Sequence, residues 1–224
     1  MAVGFSTNWD DRYKENTHMS VWPWSDLVSM VYTYCQRPFQ EKKVLELGCG
    51  AGANIPFLSK IGMEYYGVDG SATIIANLHE RFPHLKRNLK VTDFTKDFSH
   101  QGLFDFIVDR AAITHNHTEN IRLILQNVRG SLKTGGLFLG VDWFSTKHFE
   151  YSQGEPTDSI YARSGYVAGG FADVGIVHFA DEELLRSFFQ EGFELVSLAE
   201  KTRTEISGDD HRLYAAWDIV ARKL

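Results

Sequence analysis

The stretch Glu46-Leu47-Gly48-Cys49-Gly50-Ala51-Gly52 constrains this chain more than any other. It follows a short apolar run, Lys43–Leu47 (KVLEL), and opens a helical pattern from about Ala53 to Lys60. Glycines serve where a backbone turns tightly or where a ligand must approach with no Cβ in its way. The helix behind such a turn offers free N–H groups and the positive end of its dipole. The next apolar run ends in an acid, Asp69, about 20 residues on, where a carboxylate can accept from both ribose hydroxyls. One run later Asp93 is placed to meet an adenine amino group. A dinucleotide turn reads G-x-G-x-x-G and cradles a pyrophosphate. Here the glycines read G-x-G-x-G behind Glu46, and a carboxylate repels pyrophosphate but attracts a sulfonium or an ammonium. The sign favours S-adenosylmethionine over NAD.

Apolar runs alternate with helical periods, which predicts an α/β fold with a mostly parallel sheet. Met63–Val68 reads as the second strand, with a helix over about Ala72–Arg81. Leu89–Thr92 is the third, and Phe104–Val108 the fourth, ending at Asp109. A helix over Glu119–Leu132 leads through Lys133-Thr134-Gly135-Gly136 into a fifth strand, Leu137–Asp142. The pattern then lapses. Trp143–Ala180 has five glycines and eight aromatics and no sustained period; a loop that long is usually functional. Asp181 then caps a helix (DEELLRSFFQ). Phe193–Leu198 and Leu213–Ala221 are two last, antiparallel strands joined by a polar stretch, Glu200–Arg212. One domain over 1–224 results: an N-terminal helical cap (1–40), a cofactor-binding core (41–142), a lid (143–180) and a C-terminal helix with strands (181–224).

A hydrophobic share of 43% and a charged share of 23% suit a globular chain. Net charge is −6 with no long Lys/Arg run, so nucleic acid is not the expected partner. Cys35 and Cys49 read as reduced thiols. No apolar run reaches membrane-span length and no secretory signal opens the chain, so the cytoplasm is expected by elimination.

VLELGCGAG (Val44–Gly52), GVDGS (Gly67–Ser71), TDF (Thr92–Phe94), FDFIVDRAAITHN (Phe104–Asn116) and LKTGGLFLGVDW (Leu132–Trp143) resemble the successive motifs of class I, Rossmann-like methyltransferases. The nearest flavour is the small-molecule type 11/12 group. That resemblance implies a seven-stranded sheet ordered 3-2-1-4-5-7-6 with strand 7 antiparallel, and S-adenosyl-L-methionine as cofactor. It places Glu46, Gly48, Cys49 and Gly50 along the methionine moiety and Asp69, with Gly70 and Ser71, at the ribose. Asp93 and Phe94 would frame the adenine, with Asp109 and Arg110 near the methionine end. Trp9-Asp10-Asp11-Arg12-Tyr13 resembles the W-[DE]-x-R-Y helix of many members, bringing Tyr13 to the cofactor, and Trp22-Pro23-Trp24 would fold over it.

Methyl transfer from a sulfonium needs alignment first, and a base only where the acceptor must lose a proton. Asp109-Arg110-Ala111-Ala112 stands where amide and adenine N-methyltransferases carry N/D-P-P-Y/F/W, which disfavours that subgroup. Asp109 and Asp142 end strands as the ligands of a metal-dependent enzyme would, but Trp143 replaces an expected amide ligand, so no metal is expected. His115 and His117 follow the fourth strand and are the candidate bases, which predicts a small acceptor methylated at a hydroxyl oxygen. His178 reads as a surface loop histidine. Two other readings stay open at this level: a cofactor-binding but non-catalytic partner subunit, and an NAD-dependent oxidoreductase. For the lid, the competing reading is an arm that forms a homodimer.

Overall fold

In the computed structural model residues 8–15, 17, 19–98, 100, 102–207 and 211–224 are described. Residues 1–7 of the expected cap and 208–210 of the expected polar connection lie outside them. Two short helices, α1 (Asn8–Lys14) and α2 (Ser25–Tyr34), precede the sheet. The alternating part follows as β1 (Lys43–Leu47), α3 (Ile55–Lys60), β2 (Glu64–Asp69), α4 (Ala72–Arg81), β3 (Leu89–Val91), β4 (Phe104–Arg110), α5 (Thr118–Ser131) and β5 (Leu132–Phe144). Three short strands, β6 (Glu155–Pro156), β7 (Ala162–Ser164) and β8 (Val177–His178), then lead to α6 (Glu182–Phe188) and the hairpin β9 (Phe193–Glu205) and β10 (Arg212–Lys223).

The main sheet runs β3-β2-β1-β4-β5-β10-β9, with β10 antiparallel to both neighbours. This is the order and polarity expected from the resemblance. β1 sits at the centre, pairing in parallel with β2 and β4, and only its first residue is not buried, as a strand covered on both faces requires. Successive side chains point to opposite faces. Val44 thus joins Leu27, Leu58 and Leu78 in one core, while Leu45 and Leu47 join Ile107, Ile121 and Leu185 in the other. α4 begins at Ser71, whose Oγ accepts from the Ile74 amide at 3.2 Å, and Ile74, Ile75 and Leu78 turn inward. α6 begins where expected, with Asp181 Oδ1 accepting from the Leu184 amide at 2.8 Å.

Two expectations need correction. The polar stretch after Leu198 is not a plain connection, because β9 continues to Glu205 against a β10 that starts at Arg212. Side chains on that projecting hairpin find partners beyond the sheet: Tyr214 packs edge-on against Phe149 at 5.0 Å and His148 at 5.5 Å. The segment after Trp143 is not irregular throughout. β5 runs on to Phe144, and β6-β7-β8 form an antiparallel sheet with its own apolar cluster of Tyr166, Phe171, Val174, Val177 and Phe179. Strands of two or three residues are too short to show a period of two.

Candidate functional site

A cavity of about 420 Å³ opens at the carboxyl ends of the parallel strands, where ligands bind in open α/β sheets. Its first wall comes from the ends of β1, β2 and β3: Glu46, Gly48, Cys49, Gly50, Asp69, Gly70, Asp93 and Phe94. The other comes from Trp9 and Tyr13 of α1, Trp24, Arg110, His115, Phe144, and Gly170, Phe171 and Val174 of the segment after β5.

The glycine turn has φ of +65°, +49° and +77° at Gly48, Gly50 and Gly52, a region that costs any side chain. Their surroundings differ. A Cβ on Gly48 would lie 2.2 Å from Ala112 Cβ, and one on Gly52 would lie 2.7 Å from Leu78 Cδ2. At Gly50 it would meet Tyr13 Oη at 3.0 Å, on the cavity side. Close packing of the protein onto itself therefore demands Gly48 and Gly52, and Gly50 faces the cavity. The Cys49 amide donates to Val68 O at 3.0 Å, and burial pushes its thiol well up.

Glu46 is buried, with Oε1 accepting from Asn54 Nδ2 at 2.7 Å and Oε2 from Tyr65 Oη at 2.6 Å. Asp69 is buried too and accepts from the amides of Gly50 (3.0 Å) and Ser71 (2.9 Å). Burial pushes the Glu46 carboxyl up to about 7 and that of Asp69 up to about 6, against these hydrogen bonds. Asp93 accepts from the Thr95 amide and hydroxyl (3.1 and 2.6 Å), which fixes the turn that presents Phe94. Across the cavity, His115 Nδ1 lies 2.9 Å from Ile176 O, and Trp9 packs edge-on at 4.8 Å. A carbonyl only accepts, so Nδ1 carries a proton, and the tautomer this selects for a neutral ring has its lone pair on Nε2.

Residues 45–138 match a family model described as a methyltransferase domain. Over 107 residues the chain is 32% identical to a probable S-adenosyl-L-methionine-dependent methyltransferase, TehB, of Haemophilus influenzae, covering 46% of this chain and 37% of that protein. It is 31% identical over 97 residues to a ubiquinone biosynthesis O-methyltransferase of Nitrobacter winogradskyi, covering 42% of this chain and 36% of the relative. The matches thus span little more than a third of these relatives. Among solved structures, a methyltransferase from Methanosarcina mazei superposes with a TM-score of 0.68 at 22% identity, over 91% of this chain and 99% of that one. Residues 45–138 thus resemble a methyltransferase domain, and the sheet has the class I, Rossmann-like order of the solved S-adenosylmethionine-dependent methyltransferases.

The cavity fits S-adenosylmethionine on its own geometry. Carboxylates wall one half, as a cationic ligand with ribose hydroxyls needs, and Gly50 leaves the approach open. Not every expected residue stands there. Ser71 lies beneath the wall, fully buried, with its hydroxyl donating to Asp10. Asp109 is fully buried under the site and accepts from the amides of Ala112 (3.1 Å) and Ile113 (3.0 Å) and from Trp143 Nε1 (2.6 Å). His117 is no cavity residue: it precedes α5 and pairs with Asp158 at 2.7 Å. Trp24 lines the cavity, while Trp22 is 79% exposed. His178 is 1% exposed, with Nε2 at 3.2 Å from Thr118 Oγ1.

Asp142 belongs to the one candidate metal-type cluster among the described residues, with Asp26 and Asp218. Lys201 Nζ stands amid the three carboxylates, at 2.7 Å from Asp142, 2.5 Å from Asp26 and 2.9 Å from Asp218. An ammonium thus stands where a cation would and offsets part of the trio's charge. No helix among the described residues is long and apolar enough to cross a membrane.

Sequence reasoning expected a lid over 143–180 without singling out Phe144, Phe171 and Val174 as its cavity wall, and missed Trp9 in that role and Asn54 and Tyr65 as the holders of Glu46. Tyr65 had a signal: on β2, paired with β1, it stands opposite Val44, two residues from Glu46 and so on the same face of the sheet. Trp9, Phe171 and Val174 reach the cavity only through the packing of α1 and the segment after β5.

Proposed function

We propose that the protein transfers a methyl group from S-adenosylmethionine to a hydroxyl oxygen of a small-molecule acceptor, with His115 as the base. The observation that carries this reading is the continuity of one cavity between Gly50, Asp69 and Asp93 on one side and His115, Phe144 and Phe171 on the other. Bound there, the cofactor supplies an electrophilic methyl group on a sulfonium sulphur. Asp69 accepts from its ribose hydroxyls, Asp93 and Phe94 frame its adenine, and Glu46 faces its cationic end. The backbone of Gly48, Cys49 and Gly50, with Gly70, supports it, and Tyr13 closes over it. His115 holds a lone pair on Nε2 because Ile176 O occupies the other nitrogen, so it can take the acceptor's hydroxyl proton. The aromatic wall excludes water from the line of transfer.

Calorimetry with S-adenosylhomocysteine and with NADH tests the cofactor, and transfer of a labelled methyl group from S-adenosylmethionine to a panel of hydroxylated compounds tests the reaction. We expect binding of the thioether and not of NADH, and transfer that falls about 100-fold or more in His115→Ala. Thioether binding with no transfer to any hydroxyl compound, or full transfer by His115→Ala, overturns the assignment of oxygen and base.

A further inference from the structure

We infer that the acceptor is a hydroxylated aromatic carboxylic acid, held through its carboxylate by Arg110; the inference rests on the methyl transfer proposed above. Arg110 ends β4 opposite Val141 of β5, and its side chain turns to Asp142 on that strand. Its Nε donates to Asp142 Oδ2 at 3.3 Å, and its Cζ lies 3.5 Å from the centroid of the Trp24 ring. These contacts fix one nitrogen and one face of the guanidinium. Among the described residues Nε is its only nitrogen that donates a hydrogen bond, so both Nη groups remain for a ligand, and the side chain lines the cavity. Asp142 cannot swing over to take them, because Lys201 holds its other oxygen at 2.7 Å.

A planar fork with two unused donor groups matches a carboxylate, which it binds in a bidentate way. The remaining acceptor-side wall is aromatic. Phe144 and Phe171 pack at 4.7 Å between centroids, and His115 lies edge-on to both Trp9 (4.8 Å) and Phe144 (6.0 Å). Flat apolar walls suit a ring. A phenolic hydroxyl on that ring gives up its proton to His115 Nε2. The oxygen–carbon bond then forms as the carbon–sulphur bond breaks, and the sulphur keeps the electron pair. A neutral alcohol would forgo the charge-assisted pair with the Nη groups, and a cationic acceptor would be repelled. The carboxylates of Glu46, Asp69 and Asp93 lie on the cofactor half, where a sulfonium and an ammonium offset them. The cofactor's own α-carboxylate is the other source of the same chemistry, and the test separates the two.

The probes are 3,4-dihydroxybenzoate and its methyl ester, titrated into the protein saturated with S-adenosylhomocysteine. The acid should bind about tenfold or more tightly than the ester, the worth of a charge-assisted pair, and S-adenosylmethionine should convert it to a monomethyl ether. Arg110→Gln should erase the acid-over-ester preference while thioether affinity stays within about twofold. Equal binding of acid and ester, or binding of neither, overturns the inference without any variant. Loss of thioether affinity in Arg110→Gln, with the preference intact, gives Arg110 to the cofactor's carboxylate instead. Failure of the wild type to bind the thioether would sink the methyl-transfer reading itself, a distinct outcome.

Discussion

Trp143 donates its indole Nε1–H to Asp109 Oδ2 at 2.6 Å, joining β5 to β4 beneath the cavity floor. The other oxygen of Asp109 holds the Ala112 and Ile113 amides, and so the turn at Ala111, where φ is +56°. Ala112 in turn closes against Gly48. A residue that resembles part of the cofactor site is thus a support for the glycine turn.

Trp143→Phe should therefore destabilise the fold by about 1–3 kcal/mol, the cost of leaving a buried acceptor short of a donor. Burial already pushes the Asp109 carboxyl up to about 7. The missing donor matters most for the ionised form, so the penalty should be larger at pH 8 than at pH 6. Urea unfolding at the two pH values measures this, and a variant as stable as wild type would show that the bond contributes nothing.

The glycine turn separates into a packing position and a ligand position. Gly48→Ala places a Cβ 2.2 Å from Ala112 Cβ and should cost about 2–4 kcal/mol of stability. Gly50→Ala meets only the Tyr13 hydroxyl, at 3.0 Å, so its stability cost should stay near the 1–2 kcal/mol of left-handed strain. That variant should lose affinity for S-adenosylhomocysteine, and Tyr13→Phe in the same background should recover part of its stability. Equal stabilities for the two alanine variants would refute the division.

The parallel half of the fold was legible because its signals are local: KVLEL, the glycine turn and the acids at strand ends sit within single elements. Strand order came from the resemblance, not from periodicity. What escaped reading depends on contacts between distant segments. Nothing near Ser71 in sequence says that its hydroxyl meets Asp10, 61 residues away. His117 was placed correctly after β4, but its neighbour His115 turns to the cavity while it turns to Asp158. Two residues apart on an irregular turn, they have no periodicity to tell them apart.

Binding of S-adenosylmethionine should release protons. With burial holding the Glu46 carboxyl at about 7 and that of Asp69 at about 6, both are partly protonated near neutrality, and a sulfonium favours the ionised forms. Affinity for S-adenosylmethionine should thus fall as pH drops from 8 to 5.5, more steeply than affinity for the uncharged thioether of S-adenosylhomocysteine. Asp69→Ala should weaken both by about 1–3 kcal/mol at pH 8. Parallel pH profiles for the two ligands would remove the carboxylates from the sulfonium's surroundings.

His178 predicts how the fold responds to acid. Burial pulls its imidazole from 6.5 down to about 3. A folded value below the unfolded one means that the neutral ring's stability is fully present above about 6.5 and is lost as pH falls toward 3. Across that window the slope from this residue approaches 1.4 kcal/mol per pH unit. His178→Phe should flatten the fall of stability between pH 6 and 4 in urea unfolding. An unchanged slope would mean that the ring is protonated in the folded protein.

Glu150 decides between a lid and a dimer arm for the segment after β5. The carboxylate is 3% exposed, and Oε1 accepts from the Gly170 amide at 2.8 Å. Gly170 and Phe171 stand on the cavity wall, so this bond pins the turn that faces the acceptor. Gly169 permits it, with φ of +83° and a position at which a Cβ would lie 2.0 Å from Oε1. Burial raises the Glu150 carboxyl, and the amides of Gly170 and Phe171 pull the other way. Glu150→Ala removes the acceptor for those amides; Glu150→Gln keeps one oxygen for Gly170. For a lid, amide hydrogen exchange at residues 169–173 should rise sharply in Glu150→Ala and modestly in Glu150→Gln. Thioether affinity should stay within about twofold, while the acceptor's KM rises. For an arm, the same variant would shift sedimentation from dimer to monomer and leave the KM unchanged. Exchange equal to wild type in Glu150→Ala would show that the turn holds its place without the carboxylate.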